Sequence, residues 1–141
     1  MSLVQWLVLP LILHVVLTFV VGSLNLQARI AAVKRGETRL KDIALDSSAW
    51  PQSARKYGNN FDNQFQVPML AYAGVAILLA TGLADAVSAS LMWVFIVGRL
   101  LHTVVHTGKN DIRRRLSTFL LSYFAVAALW LWLAFRLFVI G

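Results

Sequence analysis

Formal charge in this chain is confined to a few intervals, and the stretches between them decide what it can fold into. Met1 to Ala28 carries no Asp, Glu, Lys or Arg, and neither do Asn63 to Ala84 or Leu116 to Phe135. A fourth stretch, Ala86 to Gly108, is interrupted only by Arg99. About 20 apolar residues in helical form cross the hydrocarbon core of a bilayer. The chain therefore predicts an all-α, integral membrane four-helix bundle, a single domain over 1–141 with spans at about 2–35, 63–82, 88–107 and 111–139. The third span fits only if Arg99 is buried in protein, because a charge in a lipid-facing helix costs about 2.5–3.5 kcal/mol on insertion scales. Composition agrees: 59% of the 141 residues are hydrophobic and 13% are charged, against about 25% charged in soluble domains.

No Lys or Arg precedes the first apolar run, whereas a cleaved secretory signal opens on a basic segment. The run is expected to stay as the first helix, with Pro10 inside it as a possible kink and Gly36 as its C-terminal stop. There is no cysteine, which excludes disulfides and thiolate chemistry from the protein's own side chains. Any thiol in a mechanism belongs to a substrate.

The net charge of +7 does not point to nucleic acid, because the basic residues lie beside spans. Arg29, Lys34, Arg35, Arg39, Lys41, Arg55 and Lys56 fall between the first and second spans, and Lys109, Arg113, Arg114 and Arg115 between the third and fourth. The turn between spans two and three has Asp85 and no Lys or Arg. The positive-inside rule then places both basic loops in the cytoplasm and both termini on the other side, as expected in a bacterial inner membrane, with membrane lipid as the surrounding partner. Trp6, Trp130 and Trp132 suit the far interface, and Ala71, Ala73, Gly74, Ala76 and Ala80 suit close helix contact. Glu37 to Asn60 is the one long polar connection. Its Trp50-Pro51 and Tyr57-Gly58-Asn59-Asn60 read as turn chemistry, and a segment of that length is either a solvated linker or functional.

At about 100° per residue, Arg99, His102 and His106 fall on one helix face. The same end of the bundle collects Arg29, Asn63, Gln66 and Arg115. This cationic, hydrogen-bonding inventory suits an anionic ligand that brings its own carboxylates or thiolate. Each member also has a plainer role. Arg99 either bonds backbone carbonyls of a neighbouring helix or lines the ligand site; Arg113 to Arg115 either set topology and meet anionic lipid or include a site residue in Arg115. Asn63 and Gln66, spaced i, i+3, either hold a ligand or tie helices together. His102 and His106 have the i, i+4 spacing of helical metal ligands, but without a cysteine or nearby carboxylate they make a poor metal site. His14 reads as a packing histidine facing the bundle.

The stretch Phe95 to Lys109, with Arg99, His102 and His106, resembles the third helix of the MAPEG family, the membrane-associated proteins of eicosanoid and glutathione metabolism. Gln27-Ala28-Arg29 resembles the end of that family's first helix. Asn63-Gln64-Phe65-Gln66-Val67-Pro68 resembles its N-x-x-E element, with Gln66 in the glutamate's place, and Arg115 falls where the family places a thiolate-stabilising arginine. The resemblance implies a homotrimer with glutathione bound between neighbouring subunits and a lipophilic small molecule as co-substrate. It implies that Arg29, Asn63, Gln66, Arg99, His102 and His106 hold glutathione and that Arg115 is catalytic. Arginines that the family carries just before Asn63 are replaced, with Arg55 the nearest candidate; Phe119 and His106 stand where it has tyrosines. The implied function is a glutathione-dependent transferase or peroxidase, and the alternative is a non-catalytic relative that binds lipid or a protein partner.

Topology is directly testable. Reporter fusions after residues 45, 85 and 141 are expected to give a cytoplasmic signal only at 45. A cytoplasmic signal at 141 reverses the orientation.

Overall fold

Ser2 starts the first helix. Its hydroxyl accepts the Gln5 N–H at 3.3 Å while the Gln5 side chain accepts the Ser2 N–H at 2.7 Å, a reciprocal cap that satisfies two otherwise orphaned donors. Helix α1 then runs Leu3–Lys34 with Pro10 inside it. It stops where Gly36 takes φ +70°, letting Gly36 and Glu37 N–H groups fold back on the carbonyls of Val33 and Ala32 at 3.0 Å. One stripe of α1, namely Leu7, Pro10, His14, Leu17, Val21 and Asn25, is buried. Its spacing of three and four keeps it on one face, and the outer face is apolar as well, with Phe19 73% exposed.

The computed structural model describes residues 1–44 and 46–140, and no strand occurs among them. After α1 come α2 (Gln52–Asp62), a 3-10 turn (Asn63–Phe65), α3 (Val67–Ala80), α4 (Ala86–Thr107) and α5 (Ile112–Phe135), which continues as a π-helical turn over Arg136–Ile140. Four stretches are long and apolar enough to cross a membrane: Leu3–Lys34, Gln52–Ala80, Ala86–Thr107 and Ile112–Ile140. The second starts eleven residues before the expected 63, because Gln52–Asp62, read from sequence as irregular, is helical. Its buried Ala54 and Gly58 are spaced i, i+4, and both are small enough to let the helix lie against its neighbours. The expected placement of Gly141 lies outside the described residues.

Apolar and polar side chains divide the interior between them. The core of Leu7, Val75, Leu78, Met92, Phe95, Ile96, Leu129 and Leu133 fills the half nearer Asp85. Buried polar groups, among them Asn25, Asn60, Gln64, Arg99, His102 and His106, occupy the half nearer the basic loops. At the Asp85 end the carboxylate caps α4 by accepting the Ser88 N–H at 2.9 Å. It also accepts the Trp132 indole N–H at 2.9 Å and pairs with Arg136 at 2.7 Å. Burial pushes this carboxyl up, but the Ser88 and Trp132 bonds and the Arg136 charge together outweigh it and hold it below the usual carboxylate range.

Helices α4 and α5 make the closest approach. A Cβ at Gly98 would sit 2.9 Å from the Ser122 backbone nitrogen and 3.0 Å from its Cβ. Alanine in a helix is intrinsically better than glycine by about 1 kcal/mol, so two effects oppose each other at this position. The obstructing atoms are backbone and cannot swing away, so the clash is expected to win. Gly98→Ala should lower the thermal unfolding midpoint in detergent by the equivalent of about 1–3 kcal/mol of overpacking. A raised midpoint would mean that α4 and α5 do not approach this closely.

Candidate functional site

The Arg99 side chain is wholly buried, placed there by the stripe of α4 that faces the core. Its Nη2 donates to the Asn63 backbone carbonyl and to Gln64 Oε1, each at 3.0 Å. Of the two roles open to Arg99 in the sequence, the structure displays the first, a bond to a neighbouring helix's carbonyl. Its Nε and Nη1 have no partner among the described residues. No carboxylate pairs with it there.

Gln64 is the hub of this network, and the sequence reading missed it. An arginine can only donate, so the atom facing Arg99 is the amide oxygen, and the same oxygen is 3.1 Å from His14 Nε2. His14 must then donate through Nε2, which leaves Nδ1 to accept the Tyr72 hydroxyl at 2.9 Å. The Gln64 amide nitrogen donates to the carbonyl and side-chain oxygens of Asn60, both at 3.1 Å. Gln66, named in sequence as the glutamate's stand-in, is exposed on the outer surface. The 3-10 turn Asn63–Phe65 and the broken backbone at Gln66 (φ −95°, ψ −107°) change the helical phase. Gln64 therefore points inward and Gln66 does not. A signal existed in the i, i+4 spacing of Asn60 and Gln64, but it is readable only once α2 is known to be helical.

Nearer the basic loops, His102 Nδ1 lies 3.2 Å from the Arg115 carbonyl and so donates to it. The His102 and His106 rings meet edge to face at 5.3 Å. His102 Nε2 and His106 Nδ1 are buried without a partner among the described residues. Arg115 is half-buried in the first turn of α5 and donates to Asn110 Oδ1 at 3.0 Å. Asp111 starts that helix by accepting the Arg114 N–H at 2.8 Å, which fixes where Arg115 projects. Among the described residues no three His, Asp or Glu side chains are grouped as a metal requires.

Two cavities meet at Asn59, His106 and Arg115. The first, about 420 Å³, is polar and is lined by Arg29, Arg55, Lys56, Trp50 and Asp62 together with those three. The second, about 350 Å³, adds Asn63 and His102 and then opens among Ile112, Leu116 and Phe119. Of the sequence candidates, Arg29, Asn63, His102, His106 and Arg115 thus line one or the other of two adjoining cavities. Arg99 lies sealed behind them and Gln66 lies apart. Trp50, Arg55 and Lys56 come from the segment for which the sequence left a solvated linker and a functional role both open; the Arg29 guanidinium lies 5.0 Å over the Trp50 ring, and Lys56 donates to the Thr107 carbonyl at 2.7 Å, closing the end of α4.

A comparison with known families finds that the MAPEG family model matches residues 3–135. No curated protein and no solved structure matches the chain.

The two glutamines separate by mutation. Gln64→Leu strands a buried guanidinium donor, and loss of such a partner costs about 1–3 kcal/mol. Gln66→Leu, on the outside, should stay within about 0.5 kcal/mol. Unfolding midpoints of the two variants in detergent measure the contrast; an equal or reversed ranking would put Gln66 rather than Gln64 against Arg99.

Proposed function

The chain belongs to the MAPEG family, and on that premise we propose that it is a glutathione-dependent transferase or peroxidase acting on lipophilic electrophiles. The observation that carries the reading is the position of Arg115, on the shared wall of a cationic cavity and of one that opens among apolar side chains. The first cavity has fixed cations for a ligand with two carboxylates, and its volume lies within the range of small-molecule sites, about 300–1,000 Å³. The second offers a lipophilic substrate a way in from the bilayer. The likeness of Phe95 to Lys109 to the third helix of microsomal prostaglandin E synthase supports the same class of chemistry.

Glutathione supplies the nucleophilic thiol. Arg29 and Arg55 hold carboxylates, for which a planar guanidinium is the matched partner. Arg115 places a positive charge where the sulfur becomes an anion, so the thiol proton leaves to water and the thiolate persists at neutral pH. In the transfer reaction the sulfur forms a bond to the electrophilic carbon while the electron pair of the broken bond leaves with the displaced group. Arg99 acts from behind, holding α2 and α4 in register through Asn63 and Gln64. His102 fixes the first turn of α5 through its bond to the Arg115 carbonyl. We place the basic end in the cytoplasm of a bacterial inner membrane and the working unit as a homotrimer, which suits the apolar outer faces of α1 and α5.

One observation favours a second reading, a relative that binds lipid or a protein partner without catalysis. A groove of about 680 Å³ between α1 and the second span is lined by Phe19, Phe61, Phe65 and Met69, apart from the cationic cavity.

Arg115 discriminates between them. Mixing the protein with millimolar glutathione at neutral pH should give thiolate absorbance that vanishes in Arg115→Ala and returns in part in Arg115→Lys. Conjugation of a generic electrophile should fall about 100- to 1,000-fold in Arg115→Ala, with assembly by native mass spectrometry unchanged. Wild-type protein with neither glutathione binding nor a thiolate signal overturns the enzyme in favour of the second reading.

A further inference from the structure

Five of the six carboxylates of this chain are occupied. Glu37 pairs with Arg35 at 2.6 Å, Asp42 with Arg39 at 2.8 Å and Asp85 with Arg136 at 2.7 Å. Asp46 accepts the Ser48 N–H and Asp111 the Arg114 N–H, both at 2.8 Å. Asp62 is the sixth. It precedes the 3-10 turn, yet its side chain makes no cap bond, and among the described residues it forms no ion pair.

That carboxylate stands on the wall of a cavity whose other formally charged lining groups are the cations Arg29, Arg55, Lys56 and Arg115. Opposite charges so close would ordinarily collapse together, but three of the four cations are tethered elsewhere. Lys56 is bonded to the Thr107 carbonyl, Arg115 to the Asn110 side chain, and Arg29 lies over Trp50. The fourth, Arg55, shares the α2 face with Asp62 but is seven residues away, about 10 Å of helical rise. Gly58, between them, keeps that wall low: a Cβ there would come within 3.3 Å of Arg29 Nη2. The cavity therefore holds its one negative and several positive groups apart, with room between them.

Separated charges of this kind complement a ligand that carries an ammonium group at some distance from its carboxylates. We infer that Asp62 is a specificity-determining residue that binds the ammonium of such a zwitterionic ligand, while Arg55 and Arg29 take its carboxylates. The assignment rests on the glutathione reading, in which this group is the α-ammonium of the γ-glutamyl end.

The test compares glutathione with its des-amino analogue, identical except that the ammonium is replaced by hydrogen, by calorimetric titration of the full chain in detergent. Wild type should bind glutathione about tenfold more tightly, the scale of one charge-assisted hydrogen bond. Asp62→Asn should weaken glutathione to the level of the analogue and leave the analogue's affinity unchanged. Asp62→Glu should keep most of the preference, and because Asp62 is exposed both variants should show wild-type unfolding midpoints. Equal binding of the two ligands by wild type, or a preference that survives in Asp62→Asn, overturns the role of Asp62 alone. Binding of neither ligand by wild type overturns the glutathione reading and this assignment with it.

Discussion

A guanidinium buried in a membrane bundle, held by neutral oxygens alone, sets the terms for the rest of this structure. Removing a charge from water carries a penalty of several kcal/mol, and an unpartnered one is strongly destabilising. Arg99 is accommodated by one backbone carbonyl and one side-chain amide of the second span. Both acceptors come from the short 3-10 turn, where the change of backbone phase turns Gln64 inward. His14 and Asn60 then hold the Gln64 amide in that orientation. The irregularity in the second span and the charge on α4 are two sides of one arrangement.

The site is not an addition to the fold but the continuation of its core. On α4 the buried positions run Met92, Phe95, Ile96, Arg99, His102, Thr103 and His106, a single stripe at spacing three and four that changes from apolar to polar partway along. The contact that seats Met92 and Phe95 against the other helices also sets the depth and rotation of His102 and His106. Gly98, one residue from Arg99, lets α5 come close enough for the Arg115 carbonyl to reach His102. The positions of His102, His106 and the Arg115 carbonyl are thus carried by helix packing, while Trp50 and Asn110 reach the cavity from connecting segments.

This explains which parts were legible in the sequence. Four membrane-length helices followed from where charge is absent, and the α4 stripe followed from periodicity, because both depend on long regular repeats. Gly36 as a stop was legible because a left-handed residue after a helix leaves few choices. Residues 52–62 were not legible: Tyr57-Gly58-Asn59-Asn60 has turn composition, and its helix is decided by packing against α1 and α4, in which Gly58 serves close approach. Arg55 was still legible as the nearest candidate for the replaced arginines, but the contribution of Trp50 and Lys56 to the cavity was not. The choice between Gln64 and Gln66 was beyond periodicity, since a 3-10 turn shifts the phase without leaving a mark in composition.

The buried charge has a consequence for the membrane that surrounds it. His14, Gln64, Asn60 and Thr103 extend polar groups from the basic-loop cavities toward the middle of the bundle, and a column of this kind invites water and, with it, leakage of protons or metal cations. Arg99 stands within that column without a counter-charge. In a low-dielectric interior its field is weakly screened, and a fixed positive group in a narrow polar path is an electrostatic barrier to cations, as in water-selective pores. On the Asp85 side the interior is filled by apolar side chains, Leu7, Leu78 and Phe95 among them. The residue whose burial constrains how the bundle assembles is also a fixed positive charge that opposes the entry of cations among those polar groups.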